Sequence, residues 1–288
     1  MLTDRSRFIP PALQALAIGR GRLTRSAVWA GLLALAAGAV PGVAGAQGFS
    51  AYVSPPRIVA QVAPGKSLRQ IVEIQHVGQQ RGGYRLYTND WDLGPDQAVT
   101  FTDALSPQSC RPWVAIERHE LSLAAGARYR FRFEVTPPAE APAGECRFAL
   151  MVEGQDPARV QGALSFPVGA RIAVIVYVTV GDAAPVLTVE GQQVATVQGQ
   201  RVPVLQVRNA GNAHGRLEGV LVGTDAEGQR VELAAADVPI LPGRSREIAL
   251  TPVVEPGQPQ PTLRYPLQVK GTLEWGRQSL AVDARFHP

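Results

Sequence analysis

Short runs of β-branched and aromatic residues, separated by glycine- and proline-rich turns, recur from about residue 50 to the end of the chain. In "RYRFRFEV", Tyr129, Phe131 and Phe133 alternate with arginines, as a strand with one buried face requires. The intervening turns include "APGK", "GQQRGG" and "PPAEAPAGE", and little of the sequence has a helical period. This pattern predicts an all-β chain.

The predicted strands form two sets of about seven, divided by the turn "GDAAP" at Gly181–Pro185. About seven short strands with regular turns are typical of an immunoglobulin-like β-sandwich. We therefore expect two such domains, residues 47–182 and 183–288, with a binding cleft between them.

The first 46 residues are organised as a secretory signal peptide. A start with five arginines precedes the apolar run Ala27–Val40, and Ala44–Ala46 has the small-x-small form of a cleavage site. The alternative is an uncleaved anchor helix, but the apolar run is shorter than the roughly 20 residues that span a bilayer. We expect residues 1–46 to be removed and the mature protein to be exported.

Removal of this leader also removes the excess positive charge. The sequence has 28 basic and 24 acidic residues, and the leader holds five arginines and Asp4, so 23 of each sign remain. A protein that binds nucleic acid needs a basic surface. The mature chain is therefore not expected to bind nucleic acid.

The chain has two cysteines, Cys110 and Cys146. In an exported protein, a structural disulfide is the default interpretation. The alternative is a reactive thiol pair, whose cysteines are usually two residues apart. The wide separation favours a disulfide, which would join the segment before Trp113 to a later strand.

No group of residues has the spacing of a catalytic, metal or cofactor site. The four histidines are scattered, and the GKS in "APGKS" lacks the upstream glycine of a phosphate-binding loop. Asp90 and Asp92 flank Trp91, as in some glycosidases, but a strand end that meets a turn is the commoner origin of such a pair. We therefore expect a binding protein, not an enzyme, with no cofactor and no small-molecule substrate.

A long apolar ribbon, Val160–Asp182, crosses the middle of the sequence. Pro167, Gly169 and Arg171 interrupt it, so its longest uninterrupted apolar part is too short for a membrane helix. The second half, Ile172–Val180, is apolar on both faces, which predicts a buried strand.

The first half of the ribbon, Val160–Val168, alternates and places Leu164, Phe166 and Val168 on one face. Pro167 cannot donate to a ladder, so this half is expected at a sheet edge. An exposed apolar edge invites aggregation unless something covers it. The pattern alone leaves two interpretations open: a final strand covered by its own domain, or a strand that pairs with another protein.

The order of these elements resembles the periplasmic chaperones of the chaperone–usher pilus pathway, the PapD-like proteins. The resemblance covers nearly the whole mature chain. It rests on the leader, the two sandwiches, Arg57 in "VSPPRIV", the block "PWVAIERHELSLAAGARYRFRFEV", the long alternating strand and the turn "VRNAGNAHGRL". It implies a divergent periplasmic chaperone whose partners are pilus or surface-fibre subunits and an outer-membrane usher.

In this family the chaperone lends an edge strand to an incomplete subunit sandwich. The resemblance therefore implies that Leu164, Phe166 and Val168 bind the groove of the subunit.

The resemblance also implies a pair of cations, an Arg and a Lys, that anchor the terminal carboxylate of the subunit between the domains. Arg57 matches the Arg, whereas the Lys position falls on Ala173. Arg171 lies about 6.6 Å earlier on the same strand face, and we expect it to replace the Lys.

Two other functions remain open. An exported adhesin or carbohydrate-binding protein would more often carry exposed aromatic residues on one face, whereas Trp91, Trp113 and Trp275 are dispersed. A fibre subunit would lack a closing strand, whereas both halves of this chain have a predicted one.

Overall fold

The computed structural model describes residues 49–155, 158–159 and 167–288. The expected signal peptide, residues 1–46, lies outside the described residues. The described chain consists of β-strands and one short 3-10 turn, Arg111–Trp113, so the all-β prediction is confirmed. No helix in this part of the chain is both long and apolar enough to cross a bilayer.

The strands follow one another in two groups. The first group comprises β1 (Ala51–Ser54), β2 (Arg57–Val62), β3 (Leu68–His76), β4 (Gly82–Leu93), β5 (Val99–Thr102), β6 (Val114–Ile116), β7 (Glu120–Leu123), β8 (Arg128–Val135), β9 (Gly144–Gly154), β10 (Ala158–Arg159), β11 (Pro167–Val168) and β12 (Arg171–Val180). The second group comprises β13 (Leu187–Val197), β14 (Gln200–Asn209), β15 (Val220–Asp225), β16 (Arg230–Ala235), β17 (Ser245–Pro252), β18 (Leu267–Trp275) and β19 (Gln278–Phe286).

The first group forms a β-sandwich of two packed sheets. One sheet has the order β1-β3-β8-β6, and the other has the order β2-β12-β9-β4-β5, with β7 also paired to β4. Fully buried side chains from both sheets, among them Ile74, Phe131, Phe148 and Val176, make up the core between them.

Strand β8 shows how the alternation produces this sandwich. Phe131 and Phe133 are buried, and the ring of Phe133 packs edge-on against Phe148 of the opposite sheet at 5.7 Å between centroids. The arginines project from the other face, where Arg128 forms an exposed ion pair with Glu73 at 3.4 Å. A period of two therefore gives this strand one apolar and one charged face.

The second group forms a sandwich in which one strand belongs to both layers. The strand order is β13-β14-β17-β16-β15-β18-β19. Strand β17 pairs with β14 through Ser245–Ala249 and with β16 through Leu250–Pro252, so the ladder turns from one layer to the other within β17. Gln192 of β13 donates a hydrogen bond to the carbonyl of Arg285 in β19 at 3.0 Å, which links the two ends of the ladder.

The apolar segment Tyr52–Gln61, which has the residue types of a single strand, forms two strands in different sheets. Strand β1 pairs antiparallel with β3, and β2 pairs parallel with β12. The change of sheet occurs at Pro55 and Pro56, which have no amide hydrogen to continue a ladder. Arg57 therefore begins a new strand beside β12.

Strand β12 runs between β2 and β9, with apolar side chains on both faces. Val174, Val176 and Val178 are fully buried in the core of the first sandwich. Tyr177, on the opposite face, is 1% exposed and belongs to the cluster that fills the second sandwich. The prediction of a buried strand over Ile172–Val180 is confirmed, and the second sandwich covers its outer face.

Candidate functional site

A cleft between the two sandwiches, expected from the sequence, contains a cavity of about 500 Å³. Trp91, Ile175 and Tyr177 of the first sandwich line the cavity, together with Pro239 of the second. Two arginines, Arg57 and Arg216, also line it, one from each sandwich. The cavity therefore combines apolar walls with two guanidinium groups.

The parallel pairing of β2 with β12 positions Arg57. Arg57 lies opposite Ile175, and the amide of Ile175 donates a hydrogen bond to the carbonyl of Pro56 at 3.0 Å. Residues opposite each other in neighbouring strands project to the same face of a sheet. Arg57 and Ile175 therefore share the sheet face that lines the cleft, and the sheet change at the preceding prolines brings the arginine there.

Both cleft arginines contact one carboxylate, that of Asp237. Arg216 Nη1 donates to Asp237 Oδ1 at 2.5 Å and to the carbonyl of Asp237 at 2.9 Å. Arg57 Nη1 lies 3.5 Å from Asp237 Oδ2. Burial opposes ionisation of Asp237, but the hydrogen bond and charge of Arg216, with a smaller contribution from Arg57, outweigh it and lower the pKa of this carboxyl group.

Arg171 lies at a different place on the same sheet face. It precedes Ile175 by four residues in β12, which corresponds to about 13 Å along a strand. Its guanidinium is 5.9 Å from the ring centroid of Phe101, and it lines a separate cavity of about 630 Å³ with Arg85 and Arg111. The structure therefore does not bring Arg57 and Arg171 to one cavity.

The second cation beside Arg57 is Arg216, which the sequence analysis did not single out as a site residue. A signal was present, because Arg216 lies in "VRNAGNAHGRL", the turn that carries part of the family resemblance. Ala173, at the family's Lys position, is half-buried and pairs with Met151 of β9.

Three apolar residues, Leu164, Phe166 and Val168, are expected to bind the groove of the subunit, and only the backbone of Val168 lies within the described residues. Leu164 and Phe166 lie outside the described residues. The backbone of Val168 is described, and it pairs with Ala158 in the two-residue ladder of β10 and β11. This ladder is separate from the sheet that contains β12.

A buried acid–imidazole pair joins the two sandwiches. The backbone amide of His214 donates to Glu145 Oε2 at 2.9 Å, and His214 Nδ1 hydrogen bonds the same oxygen. The side chain of Glu145 is fully buried, and Arg147 Nη1 lies 3.7 Å from its other oxygen. A charge buried in this way needs such partners, so the contact depends on both sandwiches.

Arg246 joins the sandwiches at a second place. It is 8% exposed, and it donates to the carbonyls of Leu93 and Gly94 at the end of β4, at 2.6 and 2.5 Å. Together with the His214–Glu145 pair, this contact holds the second sandwich at two separate points of the first.

The turn "NAGN" at Asn209–Asn212 holds the connection between the sandwiches. The fully buried Asn209 donates to the carbonyls of Ala213 and Ile240, each at 2.8 Å. Its Oδ1 accepts from the amides of Val186 and Gly211, at 3.1 and 2.9 Å. This side chain thus uses both donors and its acceptor to hold the connecting segment.

The second asparagine of that turn, Asn212, contacts both the connecting segment and the first sandwich. Its Oδ1 accepts from the amide of Ala184 at 2.9 Å, and its Nδ2 donates to the carbonyl of Ala143 at 3.1 Å. The two asparagines therefore tie the connecting segment to both sandwiches.

The predicted disulfide between Cys110 and Cys146 is present. The bridge joins Cys110, which directly precedes the 3-10 turn Arg111–Trp113, to Cys146 in β9, as expected from the sequence. Cys146 lies between Glu145 and Arg147, so the bridge holds the loop against the part of β9 that contacts the second sandwich.

Three histidines in the described part of the chain contact protein groups. His76 hydrogen bonds the hydroxyl of Tyr84, His119 lies 3.3 Å from the carbonyl of Leu86, and His214 contacts Glu145. Among residues 49–155 and 167–288, no group of three or more His, Cys, Asp or Glu is arranged to hold a metal ion.

No family model and no curated protein matches the chain. Among solved structures, it is similar to the class 5 fimbriae chaperone CfaA, with a TM-score of 0.45 and 12% identity over 83% of this chain and 100% of that chain. It is also similar to the E. coli chaperone DraB, with a TM-score of 0.41 and 16% identity over 84% and 97%. A third similarity is to the CsuC–CsuE chaperone–tip adhesion subunit complex of Acinetobacter baumannii Csu pili, with a TM-score of 0.42 and 14% identity over 83% and 98%.

Proposed function

We propose that this chain is a periplasmic chaperone that binds pilus or surface-fibre subunits by lending them a strand and delivers them to an outer-membrane usher. In this proposal the leader ends at residue 46, and residues 47–182 and 183–288 are the two domains. The observation that carries it is the position of β12, which begins at Arg171, three residues after the alternating segment Val160–Val168 ends, and lines the cleft with Ile175 and Tyr177.

The spacing of apolar residues supports strand donation. Val174 and Val176 of β12 face the core of the first sandwich. Side chains on a strand repeat every two residues, so in an extended continuation of β12 the even-numbered Leu164, Phe166 and Val168 would share that face. Burial of these three side chains in a partner groove would contribute roughly 5–9 kcal/mol before ordering costs.

The free edge of β12 supports the same proposal. Strand β2 pairs with β12 only from Ile175 onwards, so within the described residues the segment Arg171–Val174 pairs with β9 alone. An edge with free main-chain groups can accept a further strand. A subunit strand that added here would extend the sheet past the mouth of the cleft.

The cleft cavity provides the place for the end of the bound subunit. We assign Arg57 to the subunit's terminal carboxylate, because its guanidinium lines a cavity with apolar walls beside that strand edge. Arg171 is too far along β12 to hold the same carboxylate. We assign it to a different part of the bound subunit, at the cavity that contains Phe101.

Co-purification from the periplasm tests this function. The tagged full chain, expressed with the fibre genes of its own organism, should capture a fibre subunit. The double variant Leu164→Glu/Phe166→Glu should lose the subunit, because charged side chains would have to enter an apolar groove. The matched control Gln161→Glu/Ser165→Glu places the charges on the opposite face and should retain it. Failure to capture any subunit, or retention by the first variant, would overturn the proposal.

A further inference from the structure

We propose that Arg57 and Arg216 form a two-arginine carboxylate site, and that Asp237 occupies it until an incoming chain-terminal carboxylate takes its place. This inference rests on the proposed function, which it deepens by naming the second cation and an internal competitor. In the free protein, Asp237 would therefore block the site that binds the terminal carboxylate of the partner.

The geometry of the three residues supports this assignment. The two guanidinium groups come from different sandwiches and meet at one carboxylate, with contacts of 2.5 Å from Arg216 and 3.5 Å from Arg57. The arginines line the cleft cavity with Trp91 and Tyr177. A carboxylate in this cavity would therefore find the same two cations that now contact Asp237.

The exposure of these side chains indicates that Asp237 can leave. The side chain of Asp237 is 67% exposed, whereas that of Arg216 is only 14% exposed. Because the carboxylate is largely exposed, water screens its ion pairs, and we expect them to contribute little to the stability of the fold. Arg216, in contrast, lies in the wall of the cleft with little exposed surface, so we expect it to stay there when its partner changes.

Arg216 also has bonding capacity that Asp237 does not use. Its buried Nε has no hydrogen-bond partner within the described residues, and Nη1 makes both hydrogen bonds to Asp237. A guanidinium binds a carboxylate best with two parallel hydrogen bonds. An incoming carboxylate that is free to orient itself can meet this geometry better than a side chain fixed to its own backbone.

Side-chain NMR of the full chain without its leader tests the exchange. The Nε–Hε signals of Arg57 and Arg216, assigned with Arg→Lys variants, should shift saturably when N-acetylphenylalanine is added at pH 7. N-acetylphenylalaninamide, which lacks the charge, should leave them unchanged. In Asp237→Asn, half-saturation should occur at a concentration about two- to fivefold lower, the range that loss of an exposed ion pair supports.

Asp283→Asn is the matched control, because the side chain of Asp283 is 63% exposed, close to the 67% of Asp237, and forms an ion pair with Lys270 at 3.1 Å outside the cleft. It should not alter half-saturation, and Asp237→Ser should behave like Asp237→Asn. Equal or weaker binding by both Asp237 variants, or no binding by any form, would overturn the inference. Capture of subunits without this exchange contradicts the inference alone, whereas exchange without capture contradicts the proposed function alone.

Discussion

The imidazole of His214 stacks on the phenol ring of Tyr177, with 3.8 Å between the ring centroids and 25° between the planes. Tyr177 lies in β12 of the first sandwich, and His214 lies in the turn region that precedes β15 of the second. The same imidazole hydrogen bonds the buried Glu145. One histidine therefore couples the strand proposed to receive a partner to the second sandwich.

Replacement of His214 by Ala should destabilise the protein. The variant leaves the fully buried carboxylate of Glu145 without one of its hydrogen-bond partners and removes the stacked ring from Tyr177. We expect the free energy of unfolding to fall by about 2–4 kcal/mol in urea denaturation. His287→Ala, at an exposed position, is the control. Equal stabilities of the two variants would contradict the assigned role.

Replacement of Asn209 should release the connection between the sandwiches. Asn209→Ala removes four hydrogen bonds from a fully buried side chain, and we expect a loss of about 2–4 kcal/mol. Asn209→Asp keeps the oxygen that accepts from Val186 and Gly211 but loses both donated hydrogen bonds. Comparison with Asn209→Ala therefore separates the accepted from the donated hydrogen bonds. Limited proteolysis should cut the connecting segment in Asn209→Ala first, and protection equal to that of the wild type would count against this account.

Gly211 is required where the turn meets the connecting segment. A Cβ atom there would lie 2.3 Å from the carbonyl oxygen of Ala184 and 2.6 Å from the amide nitrogen of Val186. Because both are backbone atoms, Gly211→Ala should force the segment to move and lower the melting temperature. Gly144→Ala, where an added Cβ meets nothing within 4 Å, is the control and should melt close to the wild type.

Removal of the Cys110–Cys146 disulfide should destabilise the first sandwich without unfolding it. The two cysteines are 36 residues apart in sequence, and a loop of that length corresponds to about 3–4 kcal/mol in the chain-entropy model. The double variant Cys110→Ala/Cys146→Ala should show this loss in urea denaturation. Dithiothreitol should destabilise the wild type and leave the double variant unchanged. The prediction would be contradicted if the wild type kept the same free energy of unfolding after dithiothreitol had reduced its disulfide.

The contribution of Asp237 to stability should depend on pH. Since folding lowers the pKa of this carboxyl below its usual 3.8, the stabilisation is complete above that value and is lost as the pH falls through the folded-state pKa. The carboxylate is largely exposed, so we expect Asp237→Asn to cost less than about 1 kcal/mol at pH 7. The difference from the wild type should therefore shrink as the pH falls below 3.8, and a difference that does not change with pH would show another cause.

The sequence by itself determined the strands and the cores. Alternation in "RYRFRFEV" predicted the buried face of β8, the apolar run Ile172–Val180 predicted a buried strand, and two cysteines in a chain expected to be exported predicted their disulfide. These features are readable because the two-residue period of a strand, and the demand for apolar side chains on its buried face, are local properties. Short strands such as β5 and β7 cannot be read in this way, because four residues are too few to establish a period.

Only the tertiary structure decided which residues meet in the cleft. The proline pair before Arg57 moves the chain to a second sheet, and the outer face of β12 is covered by the other sandwich. Arg57 and Arg216 meet at Asp237 although they are far apart in sequence, whereas Arg171, chosen for its proximity along the strand, lines another cavity. Such distances depend on how the two sandwiches pack, and no local pattern in the sequence encodes them.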